Sequence, residues 1–249
     1  MALEDPGWDG ARNLADLGGL PTSDGLTTAY GRVWRSAAPE WMSAQGWADA
    51  ARDGLRTVVD LRNEPERRRR PEHPVVPDAA RGEIRVVHVP TENPDDDDFL
   101  AECGRWLDHP ASWTPNLRHF PTLFAAVFTA IADSPGPVLV HCAGGRDRTG
   151  LVSSMLLSLA RATPGAAETA YATGFRRAAD HRGHGLSYDP DAGWQETPDR
   201  AWDPEELDHA IADRLPALHE WYDHTDVADY LASAGLDDGR IDRLTRLLR

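Results

Sequence analysis

Cys142 is followed, after five intervening residues, by Arg148, within the stretch Val138 to Gly150 (VLVHCAGGRDRTG). That spacing suits attack on a phosphate. A thiolate is nucleophilic enough to take a phosphoryl group and form a phosphocysteine. Arg148 offers a planar fork of donors that can hold two phosphate oxygens. Gly144 and Gly145 allow a sharp backbone path, and with Ala143 and Arg146 they can turn successive N–H groups inward as an anion nest. A helix opening at Thr149-Gly150 would add partial positive charge at the same point, and a thiol in such a field is favoured as thiolate. Thr149 can donate its hydroxyl to the sulfur and help it leave. Asp147 can protonate the departing oxygen and then activate water. Its plainer reading is a salt bridge to Arg62 or another arginine that shapes the loop. Cys-x5-Arg alone is a weak signal, but His141, Cys142, Gly145, Arg148, Thr149 and Gly150 together, between strand and helix, are specific. The competing reading is an ordinary buried cysteine at a strand end.

Such a loop needs a strand to deliver Cys142 and a helix to receive Thr149. The apolar run 137–141 is that strand, and 149–162 is that helix. Further β-branched or apolar runs at 31–36, 57–62 and 84–89 read as strands, the last two as buried. A Ser-capped amphipathic helix is expected over 43–52. Apolar spacing predicts helices over 117–133 and 165–181, then a helical C-terminal tail at 204–222, 227–234 and 241–248. Strands separated by helices imply an α/β fold with a central, mostly parallel sheet flanked by helices on both faces. Segments 92–115 and 182–203 resist assignment and read as lid loops or surface excursions. Trp106, Trp113, Trp194 and Trp202 lie in them, either to stack on a substrate ring or to pack the loops down.

The chain has 249 residues, with 41 Asp+Glu against 26 Lys+Arg and a net charge of −15. All the basic residues are Arg, which coding bias accounts for. The length fits one domain over 1–249, and no internal repeat is visible. An apolar fraction of 41% with nine Trp excludes a disordered chain. The acidic balance argues against nucleic acid as a partner. Two cysteines, Cys103 and Cys142, are too few for a disulfide framework. The N-terminus lacks a basic and an apolar signal region, and no apolar run is long enough for a bilayer. A soluble, cytoplasmic protein without stable membrane association is expected.

The stretch His141 to Gly150 resembles the signature of the cysteine-dependent tyrosine phosphatases, and is most similar to the bacterial tyrosine/serine phosphatase branch that includes the secreted mycobacterial enzyme. Segments beyond the loop are similar too: Arg12 to Gly19, Gly31 to Ser36, Asp60-Leu-Arg62 followed by Glu66, and Asp229-Tyr-Leu231 with Gly235-Leu236. The resemblance implies Cys142 as nucleophile, Arg148 as phosphate clamp, Asp147 for protons and no cofactor or metal. Phosphotyrosine protein is the substrate class it implies, with phosphoserine/threonine and phosphoinositide as further members. The same chemistry would serve a small phosphorylated metabolite, and a phosphate-binding pseudo-enzyme is the reading outside catalysis. Three positions depart from the family pattern: Arg146 for the usual Lys, Gly144 for Ala and Ala15 for Arg. The first retains positive charge but changes hydrogen-bond geometry.

Other candidates support the loop. His141 is read as a partner for loop backbone rather than a base. Asp60 and Arg62 end a strand expected beside 138–141, where carboxyl ends line a crevice. Arg62 would then support Asp147 or touch substrate, or else form a buried ion pair with Glu66 or Asp60. Glu92 and Asp95 to Asp98 are a second source of a general acid, or simply a solvated acidic loop. His181 and His184 read as loop residues, not metal ligands. The run Arg67 to Arg70 reads as a solvated face, or as an attractor for an anionic substrate or head group.

Overall fold

Short runs of Val and Thr, with side chains alternating between two faces, build the sheet. The computed structural model describes residues 3–181, 186–196 and 201–249. In chain order its strands are β1 (Ala15–Asp16), β2 (Val33–Ser36), β3 (Thr57–Asp60), β4 (Arg85–His88), β5 (Val138–His141), β6 (Leu186–Asp189) and β7 (Gly193–Glu196). The helices are α1 (Ala44–Arg52), α2 (Asp97–Cys103), α3 (Trp113–His119), α4 (Pro121–Ala132), α5 (Asp147–Leu159), α6 (Pro164–Ala179), α7 (Pro204–His224), α8 (Val227–Ser233) and α9 (Asp238–Leu247). The main sheet has the order β1-β2-β5-β3-β4. β2, β5, β3 and β4 run parallel, and β1 joins antiparallel at the edge. This is the mostly parallel, helix-flanked α/β architecture that the sequence implies.

Strand alternation sorts the side chains into two cores. Val33, Val59, Val138 and Val140 enter the larger one, with α4, α5, α6 and the C-terminal helices. Trp34, Val58 and Leu139 enter the smaller one, against Trp47 and Ala50 of α1. Each fully buried aliphatic side chain contributes about 1.5–3 kcal/mol, so α5, with Leu151, Val152, Met155, Leu156, Leu157 and Leu159 buried, is anchored strongly. Register brings Ser36, His141 and Asp60 level at the carboxyl edge of β2, β5 and β3. The loop after β5 therefore opens at the edge where parallel sheets place ligands. Among the described residues, no helix is long and apolar enough to cross a membrane.

Three expectations need correction. The helix expected over 117–133 is two helices, because Pro121 disfavours helical backbone at Phe120, which sits at φ −124°, ψ 47°. Segment 92–115 is not irregular. Asp96 caps α2 by accepting from Phe99 N–H, and Asp97 and Asp98 occupy its first turn. The acidic run thus satisfies a helix N-terminus instead of forming a free loop. Within 182–203, β6 and β7 pair as a hairpin; residues 182–185 and 197–200, including His184, lie outside the described residues.

Candidate active site

β5 delivers His141 and then Cys142 to the loop, and α5 begins at Asp147, two residues earlier than its sequence pattern implies. Arg148 and Thr149 therefore sit in the first helical turn. Gly145 has φ +67°, and a Cβ there would fall 2.4 Å from the Ser36 carbonyl oxygen, so only glycine fits. Among the described residues, the backbone N–H groups of Ala143, Gly144, Gly145 and Arg146 donate to no protein acceptor. Four unpartnered donors beside a helix N-terminus make an anion nest.

The loop is braced from beneath by residues that motif reading passed over. Asn13, in the left-handed region at φ 49°, donates from its side chain to the carbonyls of Gly144 (2.9 Å), Gly145 (3.1 Å) and Gly174 (2.9 Å). Arg35, buried in β2, donates to Gly145 O at 2.5 Å and Ala170 O at 3.0 Å. Burial brings the Arg35 guanidinium down to about 10, opposed by the Cys142 and Tyr171 groups nearby. These bonds draw the loop carbonyls inward to the protein and leave the N–H groups to the cavity. The sequence signal was an arginine inside a strand otherwise destined for burial.

A cavity of about 840 Å³ holds Cys142, Ala143, Gly144, Arg146, Asp147 and Arg148 on one wall. Glu66 and Glu92 face them. Arg148 donates to both Glu66 carboxylate oxygens at 2.5 Å and lies 3.6 Å from Glu92. Burial opposes the charge on Arg148, but Glu66 and Glu92 outweigh it and hold the guanidinium firmly protonated. Burial also pushes the Glu66 carboxyl up, yet the Arg148 charge and hydrogen bonds keep it below the usual range. Glu92 differs. Burial raises its carboxyl above the ordinary value, with Arg148 opposing and the Glu66 charge adding to the rise. It accepts from Asn63 Nδ2 at 3.2 Å.

Asp147 does not meet Arg62. It accepts from Arg146 Nε at 2.9 and 3.0 Å, while Arg146 also reaches Asp108 at 3.3 Å and lies over the Phe175 ring. Arg62 instead donates to Asp60 and Glu40, an arrangement that neither supports Asp147 nor reaches the Cys142 cavity. Burial pushes the Asp60 carboxyl up, but hydrogen bonds from Arg62 and the His141 and Arg62 charges hold it well below the carboxylate range. His141 is buried, its Nδ1 3.2 Å from Cys142 O and its Nε2 3.7 Å from Asp60. Burial lowers its affinity for a proton, so it serves the loop backbone. The Thr149 hydroxyl is buried with no hydrogen-bond partner, so the bond expected to the Cys142 sulfur is not made here.

The far wall is aromatic. Tyr188 and Trp194 of the β6–β7 hairpin, with Trp202 and Phe175, line the same cavity. Tyr188 and Trp194 pack edge to face at 5.4 Å, and Trp194 Nε1 donates to Pro94 O at 3.2 Å. A Cβ on Gly104 would strike the Tyr188 ring at 2.5 Å, so the hairpin seats closely on the residue after α2. Trp113, expected in a lid, is core: it packs against Tyr171 and Trp221 at 5.9 and 5.2 Å. Trp106 is outside the cavity lining and packs with His109.

The family model described as the tyrosine phosphatase family matches residues 6–249. A protein of Cupriavidus necator, named provisionally as a tyrosine-protein phosphatase, is 28% identical over 167 residues, covering 62% of this chain and 57% of that protein. The chain thus spans under two thirds of that relative's length. Among solved structures, a variant of P. aeruginosa TpbA in complex with phosphotyrosine is 22% identical, covering 84% of this chain and 90% of the other, with a TM-score of 0.35. A second TpbA structure is 23% identical, covering 90% and 96%, with a TM-score of 0.34.

Proposed function

Because this chain belongs to the tyrosine phosphatase family, we propose that it hydrolyses phosphomonoesters through a phosphocysteine, with phosphotyrosine as the substrate class. On this reading residues 1–249 act as one phosphatase unit of the bacterial tyrosine/serine branch. The observation that carries it is the loop itself: Cys142, Arg148 and three residues whose N–H groups have no acceptor among the described residues, Ala143, Gly144 and Arg146, share one cavity wall. Cys142 Sγ attacks phosphorus. The phosphorus–oxygen bond to the leaving group breaks, and Asp147 gives that oxygen a proton. Loop N–H groups and Arg148 hold the equatorial oxygens, where charge builds in the transition state. Water then attacks the phosphocysteine, Asp147 takes its proton back, the sulfur–phosphorus bond breaks, and inorganic phosphate departs. Arg148 must exchange Glu66 for phosphate oxygens on binding, so Glu66 holds the fork ready while the site is empty.

The cavity walls bear on the substrate class. Tyr188, Trp194, Trp202 and Phe175 suit an aryl group. Glu64, Glu66, Glu92, Asp95, Asp108 and Asp147 line the same space, against three arginines, of which Arg146 and Arg148 are already paired and Arg105 lies against Trp106. A second phosphate on the substrate would meet surplus carboxylates, which disfavours polyphosphorylated lipids and metabolites. The test compares phosphotyrosine peptides, phosphoserine peptides, phosphoinositides and sugar phosphates by kcat/KM. Phosphotyrosine should lead, and Cys142→Ser should lower kcat by about 10⁴-fold or more. Wild type as inactive as Cys142→Ser across the whole panel would instead make the protein a phosphate-binding scaffold. Asp147→Asn should lower kcat by roughly 10²–10⁴; unchanged activity removes Asp147 from proton transfer.

A further inference from the structure

A second cavity, of about 630 Å³, lies at the same carboxyl edge of the sheet but on the α1 side. It shares with the Cys142 cavity only Glu64 and Pro65, which stand in the turn Glu64–Arg67. Asp60 and His141 form its inner end, and Arg62, Arg67, Arg68 and Arg81 stand around it. The carboxylates there are already engaged. Asp60 and Glu40 hold Arg62, and Asp60 and Glu64 hold Arg67. Arg68 and Arg81 have no carboxylate partner among the described residues.

Arg81 adds a sharper observation. Its Nε–H is buried and has no acceptor, while its guanidinium lies 5.3 Å from the Trp47 ring centroid. A buried donor without an acceptor is costly to keep, which favours a ligand oxygen there. Within the run Arg67 to Arg70, Arg68 to Arg70 are exposed, as a solvated face requires, and Arg67 is half-buried. Arg67 turns inward to Asp60, Arg69 caps the His73 and Pro74 carbonyls, and Arg68 lines the same cavity as Arg81. In a chain of net charge −15, two arginines that line one cavity without carboxylate partners among the described residues form a local positive site.

We propose that this cavity is a second anion-binding site, which takes a free tetrahedral oxyanion, phosphate or sulfate, between Arg68 and Arg81. Arg81 supplies the fork and its Nε–H, and Arg68 closes from the rim. The reaction assigned to Cys142 releases inorganic phosphate, but binding here does not depend on that assignment. The wall between the cavities is the Glu64–Arg67 turn, with Glu66 on Arg148 and Arg67 on Asp60. Phosphate in the second cavity would thus sit against the turn that steadies Arg148.

The test titrates sodium phosphate into the full-length protein, with ionic strength held constant by sodium chloride, and follows the arginine Nε–H resonances by proton–nitrogen NMR. The Arg81 resonance should shift saturably, and should still do so in Arg148→Met, where the Cys142 cavity has lost its clamp. Arg68→Ala should weaken phosphate at Arg81 about tenfold or more. It should leave kcat/KM for an aryl phosphate, and competitive inhibition by phosphate, within about twofold. Arg81→Gln, followed by calorimetry, should abolish the second binding event. An Arg81 resonance that does not move, or that loses its response in Arg148→Met, overturns the proposal. So does Arg68→Ala binding phosphate as wild type does. Loss of competitive inhibition in Arg148→Met is a separate outcome that bears on the Cys142 site.

Discussion

Arg148 is the residue on which the site turns. Both arms of its fork are taken by Glu66, so on the proposed reaction the pair is a stored contact that phosphate would displace. The arrangement is specific to a planar guanidinium, since a lysine could not present two parallel donors. Side-chain exposures of 16% and 8% put this pair among buried ion pairs, where removing one partner strands the other. Glu66→Ala should lower unfolding stability by about 3–5 kcal/mol, measured by urea denaturation. Bound phosphate should restore part of that loss by supplying the missing anion. Loss well below 1 kcal/mol would mean that water already carries the Arg148 charge.

At the scale of elements, the loop is a joint between β5 and α5 that β2 and the N-terminal segment hold in shape. Asn13 and Arg35 take the loop carbonyls, and Gly145 passes close over the end of β2. Gly145→Ala therefore meets both a disfavoured φ and the Ser36 carbonyl. It should cost on the order of 1–3 kcal/mol in backbone strain and lower kcat/KM sharply, because the N–H groups would no longer converge. Differential scanning calorimetry and steady-state kinetics would read the two effects. Gly144→Ala is the internal control: a Cβ there meets nothing within 4 Å, and its effect should be small. Equal damage from both substitutions would sink the argument that close approach sets Gly145.

Over the whole molecule, the negative charge is distributed unevenly. Most acidic residues face solvent, while Asp60, Glu40 and Glu66 are drawn inward by arginines. For each of these three, burial pushes the carboxyl up but arginine charge and hydrogen bonds prevail and hold it low. A carboxyl with a depressed folded value stabilises the fold above its unfolded value and loses that contribution as pH falls. The ordinary values are 3.8 for Asp60 and 4.5 for Glu40 and Glu66, so the loss should begin near the upper figure and deepen below the lower one. Glu92 has the opposite sign: its contribution is present at low pH and fades as pH rises through its raised value. Asp16 shares the sign of Glu92, but the lowered carboxyls outnumber these two, so stability should fall steeply on acidification below pH 4.5. Denaturant midpoints across pH would show it, and Asp60→Asn should flatten the slope. A midpoint that rises on acidification would contradict this balance.

Local chain chemistry made much of this legible before any contact was known. The sequence by itself determined the strand ending at His141, the phosphate-type loop, the parallel sheet and the Ser43 cap of α1, because each depends on neighbours within a few residues. Pro121 was equally visible, though the apolar spacing on either side masked the break at Phe120. Tertiary structure alone decided who holds the loop and its arginine. Glu66 is 82 residues from Arg148, Arg35 is 110 from Gly145, and Asn13 is 131 from Gly144. It also sent Arg62 to Asp60 and Glu40 instead of Asp147, whereas the helix start at the acidic run 95–98 is a local cap of Asp96 on Phe99 that the sequence already carried. The reason is physical: backbone conformation is set by short-range sterics and hydrogen bonds, whereas the partner of a buried charge is chosen only when packing brings distant segments together and removes water.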